Sequence, residues 1–201
     1  REVGGSSPLE PPKFRQSLKI CSLKVGVTGF KLGERFLKII FDNAKRNKVD
    51  EIYVTLFENK RQEVLRLRDL MVEWGFCKHG MKTSNGESVF IKNMKEYDFT
   101  KSPKYNYPNI SSSCKYGFIP IEGQYHTALF PDLFLKNESM YLYKEKPCSY
   151  AIEKIYVTSW TKLDYNPGDI LLIYRNGQYW PKKYSSVVSG FAIVQEIIYP
   201  K

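Results

Sequence analysis

The sequence predicts an α+β protein of two domains, and three observations carry that prediction. From Leu18 to about Lys92, β-type apolar runs alternate with helical 3.6-residue periodicity in the order β-α-β-α-β-β. Residues 95–113 then carry Tyr, Pro, Asn and Ser without any period. From Lys115 the pattern becomes short apolar runs with turn residues between them, as in a small β-barrel or sandwich. The expected division is a flexible segment at 1–17, an α/β core at 18–94, a linker at 95–113 and a β-domain at 114–201.

The elements follow in order. The Gly/Ser/Pro-rich start reads as loose chain. Leu18, Ile20, Leu23 and Val25 alternate as in a strand, which breaks at a turn holding Gly29 and Gly33. A helix is expected over 32–47, with Leu32, Phe36, Ile39, Ile40 and Ala44 on its buried face. Ile52–Phe57 is β-branched and aromatic, and nearly continuous in apolar character, as in a strand covered on both faces. Asn59 is placed to cap a helix over 61–74 whose apolar positions are Val64, Leu67, Leu70, Met71 and Trp74, and Gly75 ends it. Strands at 76–78 and 88–92 flank the turn Ser84-Asn85-Gly86.

Beyond the linker, Tyr116–Ile121, Met140–Tyr143, Ala151–Trp160, Asp169–Arg175 and Val187–Ile198 read as strands, and 125–134 as a short helix. Pro167-Gly168-Asp169 makes a turn before Ile170–Tyr174.

Charge and cysteine usage narrow the function. The net charge is +10, and eight of those ten excess positive charges lie before Glu96. Such a balance favours phosphate-bearing partners. The four cysteines form no CxxC pair, and Cys77-Lys78-His79 is the sole local Cys/His cluster, too few ligands for a tetrahedral metal site. Reduced thiols in a cytoplasmic protein are expected. No apolar run approaches the ~18–20 residues of a membrane span, so no membrane partner is expected.

A strand feeding a helix through a glycine turn leaves backbone N–H groups at the helix start, where an anion is favoured. With LKVGVTGFKLGERFLKIIFDNA, then DEIYVTLF, then LMVEWGF, residues 18–92 resemble the cofactor-binding core of the GNAT N-acetyltransferases. The resemblance implies that turn amides hold the pyrophosphate of acetyl-CoA, that a second strand splays from the first to admit the pantetheine arm, and that Gly75-Phe76 matches the family's G-F helix ending. The cofactor residues it implies are Leu23, Val25, Val27, Thr28, Gly29, Phe30, Lys31, Leu32, Gly33 and Glu34. The loop is two residues shorter than the family's; Thr28 stands where Arg or Gln is usual and Lys31 replaces the middle glycine. The family's catalytic tyrosine position is Met71, so no catalytic residue is assigned. The family's first strands and helices should precede Leu18, which implies a longer chain, a completing partner chain or a homodimer.

Residues 115–201 look like the PUA-like barrels, the superfamily of ASCH and EVE domains. The resemblance rests on Gly168-Asp169 before Ile170–Tyr174, and on Gly190-Phe191-Ala192-Ile193-Val194. It implies binding of RNA or a modified nucleobase. Trp160, Tyr174, Tyr179 and Trp180 offer stacking faces; Arg175, Lys182 and Lys183 suit phosphates; Glu122, Gln124 and Tyr125 suit base edges. His126 is expected on a helix surface. The expected function is an acetyl-CoA-binding, acetyltransferase-related protein coupled to a nucleic-acid-binding domain. The alternative is a non-catalytic nucleic-acid-binding protein whose degenerate GNAT half serves regulation or dimerisation.

Overall fold

A computed structural model of the chain describes residues 16–21, 32–58, 61–133, 151–159, 164–177 and 185–199. The chain divides into two units, Arg1–Gly26 with Phe36–Asn109 and Val27–Arg35 with Ile110–Lys201. Helices and open sheets are both present, so the protein is α+β.

The first sheet has the order β1-β2-β4-β3, from strands β1 (Ser17–Ile20), β2 (Glu51–Leu56), β3 (Cys77–Met81) and β4 (Ser88–Asn93). Strands β1 and β2 are parallel, in register from Ser17↔Glu51 to Ile20↔Val54. Helix α1 (Leu32–Arg46) lies between them in the chain, as a parallel pair requires a crossover. Strand β4 pairs antiparallel with both β2 and β3. Gly86, at φ +73°, supplies the left-handed residue of the β3–β4 turn.

Helix α1 buries Leu37, Ile40, Phe41 and Ala44, while Phe36 and Ile39 are exposed. The buried stripe keeps Ile40 and Ala44 from the expected one and takes Leu37 and Phe41 in place of Phe36 and Ile39. Both stripes have helical spacing, and the aromatic neighbours choose between them. The Phe41 ring lies 6.4 Å from Trp74, 6.3 Å from Phe76 and 5.7 Å from Tyr107. Burying a side chain of this size is worth roughly 1.5–3 kcal/mol over leaving it exposed.

Helix α2 (Gln62–Glu73) starts at Arg61, which makes no side-chain cap bond. It ends at Trp74 and Gly75, the latter at φ +85°. A Cβ on Gly75 would lie 2.2 Å from the Tyr105 carbonyl oxygen and 2.7 Å from Lys92 Nζ. The helix end is thus glycine for two reasons, backbone conformation and close approach.

The stretch read as a linker holds ordered structure as far as Asn109. Ser102 caps α3 (Pro103–Asn106) by accepting from the Tyr105 N–H. Buried Asn106 accepts from the Asp98 N–H at 2.7 Å and donates to the Asp98 carbonyl at 2.9 Å and the Ser102 carbonyl at 3.0 Å. Asn109 accepts from Lys45 Nζ at 2.8 Å and donates to the Glu96 carbonyl at 2.8 Å. These side-chain amides replace regular secondary structure in satisfying the backbone, which is why no period marks the segment.

The second unit holds β5 (Tyr116–Glu122), α4 (Gly123–Leu129), β6 (Ile170–Asn176) and β7 (Val187–Ile193), with a 3-10 turn at Pro131–Leu133. Strand β6 is central, parallel to β5 and antiparallel to β7. Ile119, Ile121 and Ile173 form the core, packed by Leu129, Phe130 and Leu133. Among the described residues this sheet is three-stranded and open, which corrects the expected closed barrel.

Ala151–Ser159, expected as a strand, is not one, and Ile155 and Val157 are 88% and 85% exposed. Strand propensity acts only where a neighbouring strand supplies packing, and none pairs with this segment among the described residues. Strand β7 likewise stops at Ile193, short of the expected Ile198. Met140–Tyr143 lies outside the described residues.

The Gly168-Asp169 turn has a local purpose. Gly168 is at φ +98°. The buried Asp169 carboxylate accepts the Lys115 N–H at 2.8 Å and the Asn166 N–H at 2.7 Å. One side chain thereby ties the entry of β5 to the turn before β6.

Gly75→Ala is expected to lower unfolding free energy by about 2 kcal/mol or more, through positive φ and a backbone clash together. Gly86→Ala, where a Cβ meets nothing within 4 Å, should cost only about 1 kcal/mol. Urea denaturation of the two variants checks the difference.

Candidate functional site

The cofactor turn is described only at its helical end. Leu23, Val25, Val27, Thr28, Gly29, Phe30 and Lys31 lie outside the described residues. Leu32 and Gly33 open α1 and are half-buried, and Glu34 is buried in its first turn. The N–H groups of this turn have no acceptor within the helix. Gly33 adds no side chain over them, and Glu34 does not display its carboxylate at the surface. Of the ten expected cofactor residues, the described ones are thus the three that open α1.

Of the expected nucleic-acid residues, Glu122, Gln124 and Tyr125 come together where β5 passes into α4. All three are exposed, and Gln124 Nε2 donates to Glu122 at 3.1 Å. Tyr174 is half-buried on β6. Arg175 is fully buried, so its guanidinium lies inside the unit and not on a surface open to phosphate. Its position follows from the strand period: it shares a face with core residue Ile173 and pairs with Ile121. Trp160, Tyr179, Trp180, Lys182 and Lys183 lie outside the described residues. His126 is also buried, with Nε2 2.6 Å from Ser189 Oγ, so the expectation of a surface histidine is corrected.

A further constellation stands in the first unit. A cavity of about 310 Å³ is lined by Gly75, Cys77, His79, Lys92, Asp98 and Tyr105, among others. Lys92, on β4, is buried. Its Nζ donates to the Trp74 carbonyl at 2.7 Å and the Tyr105 carbonyl at 2.9 Å, and stands 5.4 Å from the centre of the Phe41 ring. The Trp74 carbonyl is at the C-cap of α2 and the Tyr105 carbonyl lies in the last turn of α3, where helical partners run out. A cation there also meets the negative ends of both helices.

Burial lowers the Lys92 pKa to about 7; the neighbouring Cys77 opposes the shift and the charge on Lys45 adds to it. Even neutral, the amine has two N–H bonds for its two carbonyls. Cys77 Sγ lies 3.0 Å from Tyr105 Oη. That contact, then burial, raises the Tyr105 pKa to about 12, so the phenol keeps its proton at neutral pH. The cavity thus presents an exposed thiol and a protonated phenol over a lysine that holds two helix ends.

Sequence reasoning passed over Lys92 and Tyr105. The available signal was one lysine inside the apolar run Val89-Phe90-Ile91-Lys92, in a strand that turns out to be covered. Among the described residues no group of three or more His, Cys, Asp or Glu could hold a metal ion. No helix among them is long and apolar enough to cross a membrane. No protein-family model, no curated protein and no solved structure matches this chain.

Lys92 gives a pH dependence of known sign. Below about pH 7 the group is protonated folded and unfolded, and burying the charge costs stability in full. Between about 7 and 10.5 the unfolded chain keeps a proton that the folded protein has lost, so stability rises with pH across that window. The urea midpoint is expected to climb from pH 7 to pH 9, and the climb should vanish in Lys92→Met. That variant should also be less stable by about 2 kcal/mol or more, because two buried carbonyls lose their donor.

Proposed function

We propose that this chain is an acetyl-CoA-binding protein related to the GNAT N-acetyltransferases, coupled to a PUA-like unit that binds RNA or a modified nucleobase. The observation that carries the reading is the parallel β1–β2 pair with α1 between its strands. In open α/β sheets anionic ligands bind at the carboxyl ends of such parallel strands. The concentration of positive charge in the first half of the chain suits a cofactor bearing several phosphates. Glu122, Gln124 and Tyr125 supply the polar and aromatic groups with which the second unit would meet a base.

A second reading, binding without acetyl transfer, is favoured by Met71. This residue stands at the position of the family's catalytic tyrosine and is fully buried in the first unit. A thioether there has no proton to give a leaving thiolate. The first unit would then serve regulation or dimerisation, and the nucleic-acid contact would be the activity.

Calorimetric titration of the whole chain with acetyl-CoA tests the cofactor. Micromolar binding is expected, weakened at least about tenfold by Gly33→Asp, which adds negative charge at the helix start. No heat at millimolar acetyl-CoA would overturn this reading. Gel shifts with single-stranded RNA at two salt concentrations test the second unit: Tyr125→Ala and Gln124→Ala should each weaken binding, and affinities equal to the parent would refute the proposed contact.

A further inference from the structure

Among the described residues the outer face of the second sheet is apolar and uncovered. Side chains of β5 alternate between exposed and buried through its whole length. Ile119 and Ile121 enter the core. Tyr116 and Phe118 face outward, 67% and 58% exposed. The register continues the row: Phe118 pairs with Leu172, and Leu172 pairs with Phe191, which is 51% exposed. The next row is Pro120, Tyr174 and Val188, the valine also 51% exposed. Apolar groups from three strands therefore lie side by side, on strands about 4.8 Å apart. Half-exposed side chains of this size present roughly 400–500 Å² together. An exposed patch of that extent marks an interaction surface and is not the scatter of single residues found on any protein.

Charge decides what covers it. The two rows contain no charged side chain. A stacking surface for single-stranded nucleic acid needs Lys or Arg along its backbone track. A second copy presents the same uncharged face and meets no repulsion there. Two such faces pack as sheets do in a sandwich, about 10 Å apart. They would remove roughly 800–1,000 Å² from these rows alone, against the ~1,200 Å² of a stable interface. The match is to a reversible dimer of moderate affinity.

We infer that the outer face of β5, β6 and β7 docks a second copy of this chain about a two-fold axis, with Phe118 and Phe191 at its centre. The inference does not depend on cofactor binding. Sedimentation velocity of the whole chain from roughly 1 to 100 µM tests it, with half-association expected near 10 µM. The Phe118→Asp/Phe191→Asp double variant should sediment as a monomer throughout, its association weakened at least about a hundredfold, with an unchanged circular dichroism spectrum. Val188→Asp, at an exposed site in the next row, should weaken association in the same direction and decides the matter if the double variant fails to fold. A chain monomeric at the top concentration, or a dimer that none of these substitutions weakens, would overturn the inference. So would a monomer whose affinity for single-stranded RNA falls on Phe118→Ala, since the face would then belong to nucleic acid.

Discussion

The Lys92 ammonium is the contact on which the first unit turns. It joins three elements that are otherwise separate: the strand β4 that carries it, the end of α2 at Trp74 and the end of α3 at Tyr105. Around it stand Phe41, Trp74, Phe76 and Tyr107, whose rings pack within 5.6 to 6.4 Å of one another where they meet. Apolar packing alone would leave the two helix ends with buried carbonyls. A lysine reaching through the aromatic layer satisfies both, at the expense of holding a charge in poor solvent. Gly75 lies against the same atoms and leaves them room.

Elsewhere in that unit the sequence was legible where one physical signal dominated. The strand at Ile52–Phe57 and the β3–β4 hairpin were readable because β-branched runs and an Asn-Gly turn have few alternatives. Helix α1 was readable as a helix but only partly in its orientation: Ile40 and Ala44 are buried as expected, while Phe36, Leu37, Ile39 and Phe41 cover so wide an arc that local spacing cannot select among them. The segment around Asn106 and Asn109 was misread for the opposite reason. Its order comes from side-chain amides bonded to distant backbone, which leaves no period to find.

In the second unit the Gly168-Asp169 pair was recognised as a turn, while its clamp on the entry of β5 depended on a partner 54 residues away. Arg175 shows the same gap at the candidate site. Its chemistry pointed to phosphate, but its place in the alternation of β6 sends it inward beside Ile173. Residue type suggested the task, and strand register decided whether the group was accessible. Tyr125 and Gln124 are exposed because they lie on the face of α4 away from buried Gly123, His126 and Thr127.

The chain order of the Lys92 contacts sets a requirement on synthesis. When Asn93 leaves the ribosome the four strands of the first sheet have been made, yet half the acceptors of the lysine have not. Tyr105 follows 13 residues after Lys92, and Asn109 and Tyr107 bring the last ties to α1 and the aromatic layer. Until then the nascent sheet carries an amine and a helix end that only water can satisfy. The compact unit therefore extends to Asn109, past its final strand, and a ribosome paused shortly after β4 would hold a sheet without its closing contacts.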